Sequence, residues 1–233
     1  MIESALGFPL SEEPILLREL NHRINNEFSS IISIVALAAA RSGSEEVKAA
    51  LTEVSKLLHE HVDVHRALEM PQHDTFINAA AYLRKLCTSI SRSKLDRLNI
   101  NLVLAASPVH LQPDHCWRLG MIVYELITNA ARHAFTDSGG KVRVELLCAG
   151  AFVECRVLDN GSAPSTMRPG RGLKLVRELA KTLAGGVEHE FGADGSRATL
   201  VFPWCCEPQR SSQERAPLQM GAAVEISVPK QEM

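Results

Sequence analysis

An α+β fold, a helical hairpin followed by a layered α/β domain, is predicted from two long apolar stripes at helical spacing before Pro71 and from the mixture of helix and strand patterns after it. From Glu13 to about Arg41 the residues Leu17, Leu20, Ile24, Phe28, Ile31, Val35 and Ala38 recur at steps of three and four, with no Gly and no interior Pro after Pro14. The Arg41-Ser42-Gly43-Ser44 break ends this helix. Ser44 can cap a second one whose first turn holds Glu45 and Glu46, favourably placed at a positive helix end. Val47, Leu51, Val54, Leu58 and Leu68 continue its stripe until Pro71. One hairpin cannot bury both stripes, so a dimeric four-helix bundle is expected.

After Pro71 the sequence predicts a helix from about Thr75 to Ser91, a strand over Asn99 to Ala105 and a helix from Pro113 to Phe135. Strands follow at Lys141 to Cys148 and Ala151 to Leu158 about a turn at Gly150. The loop from Asn160 to Arg171 leads into a helix ending near Gly185-Gly186, and strands over Val187 to Phe191 and Arg197 to Phe202 complete the domain. The expected organisation is a hairpin over 12–71, an α/β domain over 74–204 and a polar, flexible tail over 205–233, in which VEISV could add a short strand.

With 25 basic and 27 acidic residues, nothing in the net charge points to nucleic acid or to an anionic membrane surface. The longest apolar run, Ile34 to Ala40, is far below the roughly 20 residues that cross a bilayer, and the first residues carry no basic leader, so a cytoplasmic protein without membrane insertion is expected. The six cysteines form no C-x-x-C pair and read as buried reduced thiols, with Cys205-Cys206 adjacent near the end.

The chemistry-bearing residues cluster in four places. His22, in Glu19-Leu20-Asn21-His22-Arg23-Ile24-Asn25-Asn26, is turned about 200° from Ile24 by the helical period and shares an exposed face with Glu19 and Asn26. There a carboxylate can accept a ring proton and leave the other nitrogen as a nucleophile, although a solvent-facing histidine would look the same. Glu125, Asn129 and His133 repeat every four positions opposite Leu119, Val123, Leu126 and Ala130, so a polar face could line a cleft or simply meet solvent. Asn129 could take one position on Mg²⁺, Arg132 and His133 could meet phosphate, and Glu125 could orient or deprotonate an attacking imidazole. Asp159 ends an apolar strand before Asn160-Gly161, where it could accept from the adenine amino group or belong to a plain Asn-Gly turn. Gly170-Arg171-Gly172-Leu173 opens a helix, suited to phosphate or merely a flexible entry. His61 and His65, four apart, could share a metal, although packing is the simpler reading.

Taken together, ELNHRINNE and ITNAARHAF resemble the histidine kinases of two-component signalling, most of all their HisKA_2 and HWE subfamilies, over roughly residues 12–204. The resemblance implies that His22 is the phosphorylated histidine, that Glu125 and Asn129 belong to the N box, that Asp159 and Gly161 form the first glycine box and that Gly170 and Gly172 form the second. Gly195-Ser196 is similar to the final Gly-Thr element. It also implies a Bergerat-type ATP-binding sandwich with ATP and Mg²⁺ as cofactors, a short lid over Ser162 to Pro169, a homodimer, and a response-regulator receiver domain as partner. Leu173 then falls at the phosphate-facing helix entry. The sequence departs from the family at Asn25, where a basic residue is common, at Ala163 in place of a glycine and at Ser196 in place of threonine. Met1 to Ser11 is too short for a sensory domain, so the signal is expected from a separate protein or an undetected site. Two other readings compete: a histidine phosphotransfer protein with a degenerate nucleotide domain, and a non-catalytic dimeric scaffold or anti-sigma-type regulator.

Overall fold

A computed structural model describes residues 13–71, 76–135, 139–162, 170–192 and 195–204, with the side chains of 13–18 left aside. The expected lid, apart from Ser162, and the tail with its VEISV segment lie outside the described residues. The chain separates into two compact units, Met1–Glu69 and Met70–Met233.

The first unit is a hairpin of α1 (Glu13–Arg41) and α2 (Glu45–Ala67). Ser44 caps α2 by accepting the Val47 N–H at 3.4 Å, and Glu45 in the first turn pairs with Lys48 at 2.7 Å. The stripe that α1 half-buries contains Ile24, Phe28, Ile32, Val35 and Ala39, whereas Leu20, Ile31, Ile34 and Leu37 are exposed. This shifts the predicted stripe by one residue in its second half, from Ile31 and Ala38 to Ile32 and Ala39. The cause is the almost unbroken apolar run from Ile31 to Ala40, which supplies two helical stripes where α2 covers one. Val47 and Val54 of α2 are exposed as well. His65 packs against Phe28 with ring centroids 5.5 Å apart, and among the described residues no cluster of His, Cys, Asp and Glu could hold a metal ion.

The second unit stacks helices on one face of a mixed sheet. Its elements are β1 (Ile77–Asn78), α3 (Ala79–Ile90), β2 (Ile100–Ala106), β3 (His110–Leu111), α4 (Pro113–His133), β4 (Gly140–Ala149), β5 (Phe152–Asp159), α5 (Arg171–Thr182), β6 (Gly186–Gly192) and β7 (Gly195–Pro203). The five-stranded sheet runs β2-β4-β5-β7-β6, with β2 parallel to β4 and every other pair antiparallel. Along β4, β5 and β7, alternation sends Val142, Val144, Leu146, Val153, Cys155, Val157, Ala198, Leu200 and Phe202 into the core. The opposite face carries Arg143, Glu145, Glu154 and Arg156, joined by ion pairs of 2.5 to 3.7 Å.

Helix α3 starts at Ala79 rather than near Thr75, because Asn78 caps it by accepting the Ala81 N–H at 3.1 Å and Ile77-Asn78 pairs with His110-Leu111 as a small second sheet. A π turn, Ser91–Leu95, and a 3-10 turn, Asp96–Leu98, follow α3, and Asn99 turns the chain into β2 with φ of 52°. Lys94 of the π turn donates to the Tyr124 hydroxyl at 2.7 Å and lies over its ring, fastening this turn to α4. Pro113 opens α4, and Arg118 donates to the Thr182 carbonyl at 2.9 Å, satisfying the C-terminus of α5. Cys87, Cys116 and Cys155 are buried free thiols, and desolvation pushes the first two up to about 12. Among the described residues no helix is long and apolar enough to cross a membrane.

Candidate functional site

Helix α4 presents the four-residue repeat as expected, with Leu119, Val123, Leu126 and Ala130 buried and Glu125 and Asn129 half-exposed. Asn129 and His133 line a solvent-open cleft whose apolar walls are Leu126, Ala130, Val157, Leu173 and Ala198. Apolar walls with a few convergent polar groups suit a small-molecule site.

Asp159 stands at the end of β5 and enters the same cleft. Its carboxylate is held from several sides: Gly161 N–H donates to Oδ1 at 3.0 Å, Ser196 N–H donates to Oδ1 at 3.3 Å, and the Ser196 hydroxyl donates to Oδ2. These bonds fix an acceptor in place before any ligand arrives. Gly195 makes the arrangement possible. It adopts φ of +129°, and a Cβ there would fall 1.9 Å from the Asp159 carbonyl oxygen, so a side chain would push β7 away from the carboxylate.

The second glycine of Gly170-Arg171-Gly172 is equally constrained. A Cβ on Gly172 would lie 2.6 Å from Glu125 Oε2 and 3.6 Å from Asn129 Nδ2, so the first turn of α5 sits directly against the polar pair of α4. Gly170, by contrast, has an ordinary φ of −73°, and a Cβ there would meet nothing within 4 Å among the described residues. The structure therefore brings Asn129, His133, Asp159, Leu173 and Ser196 into one cleft, sets Glu125 and Gly172 beside it, and uses Gly161 as a donor to Asp159. Arg132 and Gly170 are exposed and do not line it.

His189 and Phe191 of β6 also line the cleft and went unremarked in the sequence. Their signal was the alternation Val187-Glu188-His189-Glu190-Phe191, which puts two rings on one face of a strand. Burial, with the nearby positive charge of Arg177, lowers the His189 pKa below the ordinary histidine value, so its ring is neutral at pH 7.

His22 belongs to the first unit and is exposed on α1. Asn26, not Glu19, makes the hydrogen-bond contact to its ring, with Nδ2 3.1 Å from Nδ1. Glu19 instead pairs with Arg23 at 2.8 Å, and that guanidinium holds its carboxyl below the usual range. The permanently charged guanidinium four residues away takes the carboxylate in preference to the imidazole. The Asn25 amide donates to Glu69 near the end of the hairpin.

Two family models match this chain. Residues 19–94 match the HisKA_2 model, described as histidine kinase, and residues 94–201 match a histidine kinase-like ATPase domain. Blue-light-activated histidine kinase 2 of Erythrobacter litoralis is 24% identical over 85% of this chain and 60% of its own length. Sensor histidine kinase PdtaS of Mycolicibacterium smegmatis is 25% identical over 80% of this chain and 39% of its own. The chain thus spans less than two thirds of these relatives. The solved histidine kinase domain of the Erythrobacter litoralis EL346 blue-light-activated kinase superposes with a TM-score of 0.57 at 23% identity, covering 83% of this chain and 93% of that one, which shows a shared fold. With both regions matched in order, the chain belongs to the histidine kinase family.

Proposed function

We propose that this protein is an ATP-dependent histidine kinase that phosphorylates its own His22 and passes the phosphoryl group to an aspartate on a response-regulator receiver domain. The observation that carries the reading is the convergence of Asn129, His133, the tethered Asp159 and the α5 entry on one cleft, in a chain that also exposes His22 beside Asn26.

The residues fit the nucleotide. Asp159 is a fixed acceptor suited to an exocyclic amino group, and the apolar walls suit the base. Polyphosphate would extend toward Asn129, His133 and the N-terminus of α5, which has no side-chain cap among the described residues and whose dipole favours an anion. With no protein-only metal cage among the described residues, Mg²⁺ would be held by the Asn129 amide oxygen together with phosphate oxygens and water. Bound Mg-ATP would supply the γ-phosphoryl group and neutralise charge as it leaves.

The chain's own contribution is to position and to handle a proton. Turning the Asn26 amide over keeps its contact with His22 and lets Oδ1 accept the Nδ1 proton, leaving the Nε2 lone pair as the nucleophile. The reading gives Glu125, which lies against the glycine at the α5 entry, the role of orienting the attacking imidazole or receiving its proton. The exposed Leu20, Ile31, Ile34 and Leu37 of α1, with Val47 and Val54 of α2, support pairing with a second copy as a four-helix bundle.

The test is to incubate the purified chain with Mg²⁺ and ATP labelled at the γ-phosphate, beside Asn129→Ala and a metal-free control. The reading predicts an acid-labile, base-stable label that needs both Asn129 and Mg²⁺. A folded dimer that binds no ATP and takes no label would point instead to a phosphotransfer protein or scaffold.

A further inference from the structure

The inner face of the cleft is a small grid read from strand register. His189 pairs with Ala198, and Ala198 pairs with Val157, so these residues form one row across β6, β7 and β5. Phe191 pairs with Ser196, whose hydroxyl and N–H hold Asp159, so a second row runs from the fixed acceptor to an aromatic ring. Each row ends on the edge strand β6 with an aromatic residue.

The two rings are stacked, with centroids 6.1 Å apart and planes within 6°. Phe191 remains 44% exposed, so one of its faces or edges is still open to a ligand. His189 is more enclosed: its Nε2 is covered and has no hydrogen-bond partner among the described residues. A neutral, desolvated imidazole behaves as a flat aromatic surface, which is what a stacked neighbour needs.

We propose that the His189–Phe191 pair is the base-packing wall of the cleft, with Phe191 meeting the purine ring and His189 acting as a positioning residue that keeps the Phe191 ring in place. The inference rests on the nucleotide reading of the cleft and deepens it by assigning the base contact to β6. Every base offers a π-face to an aromatic side chain, so this wall contributes affinity while the Asp159 carboxylate selects for an amino group.

The experiment measures binding of ATP, ADP and tripolyphosphate, the last lacking a base, to the full chain and to Phe191→Ala, Phe191→Trp, His189→Ala and His189→Phe. Phe191→Ala should weaken ATP and ADP by about tenfold, within the range for one base–aromatic stack, and leave tripolyphosphate unchanged. Phe191→Trp should restore affinity and gain a fluorescence signal that ADP quenches beyond the response of Trp117 and Trp204. His189→Ala should cost about threefold and His189→Phe should recover it. Unaltered ADP affinity in Phe191→Ala, or equal loss of ADP and tripolyphosphate, would overturn the assignment. A native chain that binds tripolyphosphate and nucleotides equally would overturn it too, while one that binds neither would overturn the nucleotide reading itself.

Discussion

The two units of this chain solve the burial problem in opposite ways. The α/β unit covers its own core, with Leu83, Leu119, Ile122, Leu146 and Phe202 at 0% exposure beneath three helices and a sheet. The hairpin has an apolar residue on almost every face of α1 and only one helix to set against it, so Ile34 stays 65% exposed and Leu37 50%. The cleft proposed for the nucleotide therefore belongs to a unit that completes its core within one chain. His22, the proposed phosphoacceptor, sits on an element whose apolar surface calls for a second copy.

The sharpest way to break that contrast is to charge the exposed stripe. Ile34→Asp together with Leu37→Asp would put uncompensated carboxylates into the proposed bundle and should weaken dimerisation by about a thousandfold, corresponding to roughly 4 kcal/mol. Sedimentation should then show a monomer with unchanged ADP affinity. Loss of ADP binding would mean that the second unit depends on the bundle after all.

A core truncation should act the other way. Leu119→Ala empties a fully buried position on α4 and should destabilise the second unit by about 2–5 kcal/mol, seen as a lower thermal midpoint for ADP-protected unfolding, with little change in dimer affinity. A smaller effect belongs to Ser196→Ala, which removes one donor from Asp159. ADP affinity should fall by about fivefold, near 1 kcal/mol, with Ser196→Thr neutral, as titration calorimetry would show.

What the sequence disclosed follows the same division. In the second unit helix and strand periods were clean where an element has one buried face, as in α4, β4, β5 and β7; α4 and β5 were legible to within a residue or two. The two-residue strands β1 and β3 and the π turn after α3 were not, since their pairing is set by tertiary contact and leaves no period to read. In the hairpin the helices were legible, whereas the choice between Ile31 and Ile32 as inward residue was hidden by the apolar run around them. The polar repeat of α4 announced its shared face, and the structure adds that Gly172 meets Glu125 while Gly170 meets nothing among the described residues. His189 and Phe191 were missed because short alternation on an edge strand looks like ordinary sheet.

The chain has nine histidines, and three of them, His59, His61 and His65, lie on the neighbouring helix of the same hairpin. The most direct measurement is therefore to label the native chain with γ-phosphate ATP, digest it at alkaline pH and locate the labelled peptide, with His22→Ala in parallel. The account predicts one labelled peptide, containing His22, and none in the variant. A label that persists in His22→Ala, or that maps to another histidine, would contradict it.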